Sequence, residues 1–388
     1  MKFKSSFLFL FAQVFLLAPF SFGQGSLAPV TVTPVNSTEA GAISIYRFQF
    51  TIPASDSLPP DGKIIINFEQ SGFDLSTVAL ASSDNSNLTG DFSTVNGSGS
   101  TITLVRDGTG NNIKGADTPV SISVANVTNN QNAGSSYTVN IRTTKADDTP
   151  ISGPTTSSTF TIIPGALGSF TLSGVPSSVT AGGSFGSNDV TVTAKDIYGN
   201  TKTNYTGTVS WSSSDGSATL PADYQFTGGD NGTHTFSGTG FTLQTAGGQT
   251  ITVTDGSVSA TSGTIEVGVG SLSDFTLSAG ATQTAGVGFS LSVSGAVDGS
   301  SNAWSGTVVV SVFSGGGDSP NGTAPSLSNI TVSNGSGSAS QVLVNAVSTV
   351  LQGSADGVSK TTGSITMDPG SLGSFTLSGV PSSVTAGG

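Results

Sequence analysis

Residues 165–183, GALGSFTLSGVPSSVTAGG, return at 370–388 as GSLGSFTLSGVPSSVTAGG with one change, Ala166 to Ser371. A looser copy, GSLSDFTLSAGATQTAGVGFS, begins at Gly270, so the spacings are 105 and 100 residues. A unit of about 100 residues that recurs is a self-contained domain copied in tandem, because each copy must bury its own core before the next begins. The sequence therefore predicts an array, with 369–388 as the cut start of a further copy.

The first 23 residues read as a secretory signal peptide. Lys2 and Lys4 precede an apolar run from Phe7 to Phe22, and Ser21-Phe22-Gly23 supplies small residues at a cleavage site before Gln24. The run holds about 16 residues and includes Gln13 and Pro19, which suits export better than a span needing ~20 apolar residues. Net charge is −12 and becomes −14 once Lys2 and Lys4 leave with the leader. An acidic chain with single, scattered basic residues lacks the electrostatic footprint for nucleic acid or anionic lipid, so neither nucleic acid nor direct membrane insertion is expected of the mature chain. With no cysteine in an exported chain, each domain is expected to stand on its core alone, which ~100 residues allow.

Charged residues make up only 9%, which argues against disorder driven by net charge, and period-2 alternation runs throughout. Tyr46, Phe48, Phe50 and Ile52 alternate with polar residues, and Ile64, Ile66 and Phe68 follow the turn Pro60-Asp61-Gly62. Further pairs are Ile102/Leu104, Ile122/Val124, Val139/Ile141 and Phe160/Ile162, bounded by Gly, Asn, Asp or Pro. The next stretch offers Phe170/Leu172, Val190/Val192/Ala194, Val209/Trp211, Tyr224/Phe226, His234/Phe236, Phe241/Leu243, Ile251/Val253 and Ile265/Val267. The third offers Phe275/Leu277, Leu291/Val293, Val308/Val310/Val312, Ile330/Val332, Val342/Val344 and Ile365/Met367. Many short strands at such spacing predict an all-β chain of tandem, antiparallel, immunoglobulin-like β-sandwiches behind the signal peptide. The expected domains are 24–163, 164–268 and 269–368. The junctions Ile163-Pro164-Gly165, Val267-Gly268-Val269-Gly270 and Met367-Asp368-Pro369-Gly370 are short, so the sequence suggests a semi-rigid rod, with sandwiches of ~35 Å and three in line near ~100 Å.

Within 164–268, SFTLSGVPSSVTAGGSF, VTVTAKDIYGNTKTNYTGTVSWSSSDGSATLPADYQFTGGDNGTHTF and LQTAGGQTITVTD resemble the bacterial immunoglobulin-like or filamin-like repeats of large secreted and cell-surface proteins. Residues 269–368 match more weakly: Tyr205-Thr206-Gly207-Thr208-Val209 corresponds to Trp304-Ser305-Gly306-Thr307-Val308, but the Asp-x-Tyr-Gly-Asn turn of 196–200 is absent and Ala296-Val297-Asp298-Gly299 stands near its place. The first domain resembles another bacterial surface sandwich through FTIPASDSLPPDGKIIINFEQSGF. The resemblance implies structural or adhesive duty and brings no catalytic residues with it.

The residues themselves nominate no catalytic, cofactor-binding or metal site. The single histidine, His234, alternates with Phe236 on a predicted strand, and a nucleophilic triad needs a base beside its nucleophile. Glu39, Glu69 and Glu266 are dispersed along the chain, while the aspartates stand in turn contexts such as Asp61-Gly62, Asp107-Gly108 and Asp255-Gly256, so no acid–base pair is visible. Calcium is the strongest ligand candidate, through the oxygen-rich segments 83–87, Asp147-Asp148 and Asp230-Asn231, though no EF-hand spacing occurs. The runs Gly228-Gly229 and Gly315-Gly316-Gly317 read as hairpin turns, with no lysine following as a phosphate loop needs. Trp211 reads as core and Trp304 is open between core and an exposed platform for sugars.

The expected function is a non-catalytic spacer array of a secreted or cell-surface bacterial protein, extracellular in location, whose partners are its own neighbouring domains. Two alternatives stand beside it: an adhesin or carbohydrate-binding array with a glycan or cell-surface ligand, and the accessory region of a secreted hydrolase whose catalytic domain lies downstream.

Overall fold

The computed structural model describes residues 25–81, 86–88, 90–114, 119–371 and 378. The predicted signal peptide, most of the last repeat copy and residues 83–85 of one calcium candidate lie outside them. Among the described residues the secondary structure is β-strand, with two single 3-10 turns at Gly228–Asp230 and Gly238–Gly240 and no α-helix. Two compact units result: Met1–Ser169 with Ala194–Asn204, and Phe170–Thr193 with Tyr205–Gly388.

In the first unit a five-stranded sheet runs in the order Pro150–Thr156, Val139–Thr144, Lys63–Phe68, Thr101–Arg106, Phe92–Ser98, and a four-stranded sheet in the order Thr31–Pro34, Ile43–Phe50, Val120–Thr128, Ala79–Leu80. The strand Ile43–Phe50 shows why alternation works: Tyr46, Phe48 and Phe50 are fully buried while Arg47 and Gln49 lie between them on the other face. Ile64, Ile66 and Phe68 answer from Lys63–Phe68. Tyr46, Phe68, Phe73, Tyr137 and Phe160 meet mostly edge to face, with centroids 4.6–6.4 Å apart, the geometry that ring quadrupoles favour. The Tyr46 hydroxyl donates to Asn129 Oδ1 at 2.6 Å; burial drives its pKa far above the ordinary tyrosine value, so it is a permanent donor.

Two further sets of strands follow along the chain. One pairs Leu167–Ser173, Val190–Asp196 and Thr233–Phe236, against Tyr224–Gln225, Thr208–Ser213, Ile251–Thr254 and Ser259–Thr261. The other pairs Leu272–Ala279, Phe289–Asp298 and Gly337–Gln341, against Ile330–Val332, Gly306–Ser314, Val350–Ala355 and Val358–Thr361. Val190, Val192 and Ala194 are buried at every second position, as are Leu291 and Val293. Antiparallel pairing dominates in these two sets, with two exceptions among their described strands. Ser178–Thr180 runs parallel to Ile265–Gly268, and Thr282–Thr284 parallel to Thr366–Asp368, because the closing strand of each set returns beside its own opening segment.

Two predicted strands are loops. Phe241 and Leu243 are fully buried, yet their stretch makes only isolated bridges, Thr242 to Thr219 and to Ser184. Val342 likewise bridges only Ser326, and the expected inward pair Val342/Val344 is half-buried while Leu343 between them is fully buried in a loop. Burial alternates there as in a strand, but the backbone serves other partners, described below. Trp304 is core, 7% exposed, with its ring lying over Gly306 where a β-carbon would come within 2.3 Å. Tyr205 covers Gly207 in the same way, at 2.4 Å from that position, which bears out the alignment of the two Gly-Thr-Val segments. Trp211 is half-buried, edge-on to Phe236 and Phe241 at 5.1 and 4.9 Å.

Candidate functional site

A strand that ends in a buried carboxylate is the recurrent polar device of this chain. Val190–Asp196 ends at Asp196, which is 2% exposed. Its Oδ1 accepts from the amides of Tyr198 (2.9 Å) and Asn200 (2.8 Å), closing the turn, and its Oδ2 accepts from the Gly165 amide at 2.9 Å. Asn200 Nδ2 donates to Asp196 Oδ2 at 2.8 Å and to the Gln131 carbonyl at 2.7 Å, while Asn200 Oδ1 accepts from the Ala133 amide at 3.0 Å. A carboxamide presenting donor and acceptor side by side matches a backbone carbonyl and an amide two residues on. Lys202 Nζ donates to the Gly165 carbonyl at 2.6 Å. Tyr198 closes the site: a β-carbon on Gly41, whose φ is +69°, would fall 1.9 Å from the tyrosine hydroxyl, so this approach requires glycine.

The same arrangement recurs at Asp298, 3% exposed, at the end of Phe289–Asp298. Its Oδ1 accepts from the Ser300 and Asn302 amides at 2.9 and 2.8 Å, and its Oδ2 from the Gly270 amide at 2.8 Å. Asn302 Nδ2 donates to the Gln244 carbonyl at 2.8 Å, and Asn302 Oδ1 accepts from the Ala246 amide at 2.8 Å. The expectation that the turn is missing after Ala296 is therefore corrected in substance. Tyr and Gly are replaced, but the Asp and Asn four residues apart are kept, and those two do the bonding. That i, i+4 spacing was the signal in the sequence, and the middle residues obscured it.

Burial by itself would raise these carboxyls. The Asn side chain and the backbone amides of the turn and of the preceding glycine outweigh it, so Asp196 and Asp298 both sit below the ordinary value of 3.8. Asp215, 3% exposed, shows the same balance: against its burial stand the amides of Thr245, Gln244 and Ser217 and the Thr245 hydroxyl. By accepting from Gln244 and Thr245 at 2.6 and 2.9 Å, Asp215 holds the loop that receives Asn302.

The other singled-out residues are placed as follows. His234 stacks on Tyr224 at 3.6 Å and approaches Asp230 Oδ1 at 3.1 Å. Asp230 also accepts from Tyr224 and from the amide and hydroxyl of Thr227, and the Thr227 amide bond above all holds its carboxyl at about 2. Thr227 is thus a donor to the carboxylate, placed to fix it rather than to be activated by the imidazole. Glu69 accepts from Thr138 and Asn140 in the first unit, and Glu266 faces outward on Ile265–Gly268 in the second. The Asp147 carboxylate accepts from Thr149, and Asp148 pairs with Lys63 at 2.7 Å. Among the described residues no group of three or more His, Asp or Glu side chains gathers to hold a metal ion.

No protein-family model matches the chain, and no curated protein matches it. Solved structures that resemble it include domains 4 and 5 of the S-layer protein SbsC, 17% identical over 52% of this chain and 99% of that one, with a TM-score of 0.25. The major pilin subunit BcpA of Bacillus cereus is 12% identical over 57% of each chain, with a TM-score of 0.24. BslA, a bacterial hydrophobin, is 13% identical over 37% of this chain and 98% of that one, with a TM-score of 0.23. At such identities the likeness concerns fold class alone, and at such TM-scores it carries no argument about any site.

Proposed function

We propose that this chain is a non-catalytic structural array from an exported, surface-located bacterial protein, its sandwiches serving to space or display other parts of that protein. The observation that carries the reading is the use made of the buried carboxylates. Asp196, Asp215 and Asp298, the polar groups best placed for chemistry, spend their oxygens on backbone amides and on the fastening asparagines. A carboxylate saturated with fixed donors and held below its ordinary pKa is a poor general acid or base at neutral pH. The leader-like first 23 residues and the absence of cysteine fit an exported protein built on cores alone.

An adhesive reading is favoured by one observation: Val309 and Phe313 are 50% and 62% exposed on the strand Gly306–Ser314, apolar area that a ligand could cover. One experiment separates the readings. Intact cells of the source organism are treated with protease and probed with antibody to residues 24–368, and the purified chain is applied to a glycan array. The structural reading expects surface cleavage, no retained 1–23 segment and no glycan signal. Saturable binding lost in Phe313→Ser would favour adhesion, and a cytoplasmic chain with its first 23 residues intact would overturn both.

A further inference from the structure

The loops that receive Asn200 and Asn302 are built alike, and among the described residues no turn lies on a third loop of the same build. At the first, the Ala40 amide donates to the Ile163 carbonyl and the Gly41 amide to the Asn130 carbonyl, at 2.9 and 3.3 Å. At the second, the Ala181 amide donates to Gly268 and the Gly182 amide to Leu243, both at 2.8 Å. At the third, the Ala285 amide donates to Asp368 at 2.9 Å and the Gly286 amide to Leu343 at 2.8 Å. Gly41, Gly182 and Gly286 all have positive φ, +69°, +76° and +83°. The linker glycine sits against the same alanine each time. A β-carbon on Gly165, Gly270 or Gly370 would approach the carbonyl oxygen of Ala40, Ala181 or Ala285 to 3.2, 3.4 or 2.7 Å.

Counting on from Asn130, Leu243 and Leu343, the next carbonyls are those of Gln131, Gln244 and Val344, and the alanine amides stand at Ala133, Ala246 and Ala346. The first two carbonyl–amide pairs clasp Asn200 and Asn302. The exchange of Gln for Val344 leaves this recognition intact, because the backbone supplies it. Ala346 and Val347 are exposed. The geometry points to loop 343–346, with Gly286 and Gly370, as a docking site for a turn with Asp and Asn four residues apart. Its carboxylate would take the Gly370 amide, and its carboxamide the Val344 carbonyl and Ala346 amide. The partner is such a turn joined through Gly370 in the same chain. At the two filled sites the Asp lies 31 and 28 residues after its linker glycine, and residues 370–388 repeat 165–183, the stretch that precedes the turn-bearing strand Val190–Asp196 in sequence. This inference rests on the proposed reading of the chain as a structural array, its Asp–Asn turns clasped by the loops before them.

The test extends the chain. Residues 184–268 are appended after Gly388, which completes a repeat carrying copies of Asp196 and Asn200, and amide hydrogen exchange is followed residue by residue. In both chains the Ala133 and Ala246 amides exchange slowly. The Ala346 amide is fast in residues 24–388 and slows by about tenfold or more in the extended chain, the scale of one hydrogen bond's net contribution. Replacing the appended copy of Asn200 with Ala restores fast exchange at Ala346 and leaves Ala246 unchanged. A second extension built from residues 289–368 supplies the same test should the first not fold. If Ala346 exchanges equally fast in a folded extension while Ala246 is protected, the docking site is refuted and the array stands; if Ala133 and Ala246 are themselves unprotected, the clasped array is refuted.

Discussion

Asp215→Ala is expected to lower the stability of the second unit by about 3 kcal/mol, with the midpoint of urea denaturation falling and its slope unchanged. The carboxylate accepts from the Gln244 and Thr245 amides, the Thr245 hydroxyl and the Ser217 amide, at 2.6 to 3.0 Å. Alanine leaves these donors unmatched where little water reaches them, at about 1–3 kcal/mol for a buried group. Since loop 244–246 receives Asn302, the Ala246 amide should also exchange faster, while Ala133 in the first unit should not change. A mere loss of bulk would not single out that amide. Asp215→Asn recovers only part of the loss, because one carboxylate oxygen becomes a donor facing donors.

Acid should act on the same groups. The folded-state pKa values of Asp196, Asp215 and Asp298 are lowered from 3.8, so their contribution is fully present above that value. It is lost as pH falls below 3.8 and through the folded values, because the unfolded chain then binds protons that the folded chain resists. In Asp215→Ala the acid limb of the stability curve should be shallower than in the unaltered chain.

Arg106→Met is expected to cost the first unit about 2–3 kcal/mol. Arg106 is 3% exposed, and its guanidinium donates to the carbonyls of Leu58, Pro59 and Asn111 at 3.3, 2.6 and 2.9 Å. It thereby ties both approaches to the small sheet formed by Ser57–Leu58 and Ile113–Lys114. Methionine fills much of the stem volume but leaves three carbonyls without their charged donor, each such bond being worth about 1.5–3 kcal/mol, offset by the relief of a buried charge. Arg106→Lys should rescue little, since an ammonium is a point donor that cannot span the fork of contacts. Thermal denaturation of the variants checks both statements, and rescue by lysine would contradict the forked role.

The sheets were legible because half-buried strands announce themselves at every second residue, as at Tyr46, Phe48 and Phe50. Alternation reports burial rather than pairing. Phe241/Leu243 therefore carry a strand's pattern while their backbone forms a receiving loop, and at 342–344 the phase itself is reversed, with Leu343 buried between half-buried Val342 and Val344. The clasp is only half legible in the sequence: 196–200 stands out through Tyr198 and Gly199, yet the turn works through its first and last residues, and 298–302 shares only those two with it. The receiving loops could not be read from side chains, because a carbonyl and an amide do the recognising and almost any residue supplies those. Asp215 looked like another turn aspartate, and only its burial separates it from Asp107 or Asp147, which serve exposed turns.

Successive sandwiches that fold on their own cores should give way one at a time under load. When single molecules of residues 24–388 are pulled by their ends, three separate unfolding steps are expected, one releasing roughly 140 residues and two releasing roughly 100 each. At ~3.6 Å per extended residue those are roughly 500 Å and 360 Å of chain. One merged step, or a smooth extension without steps, would contradict folding on separate cores.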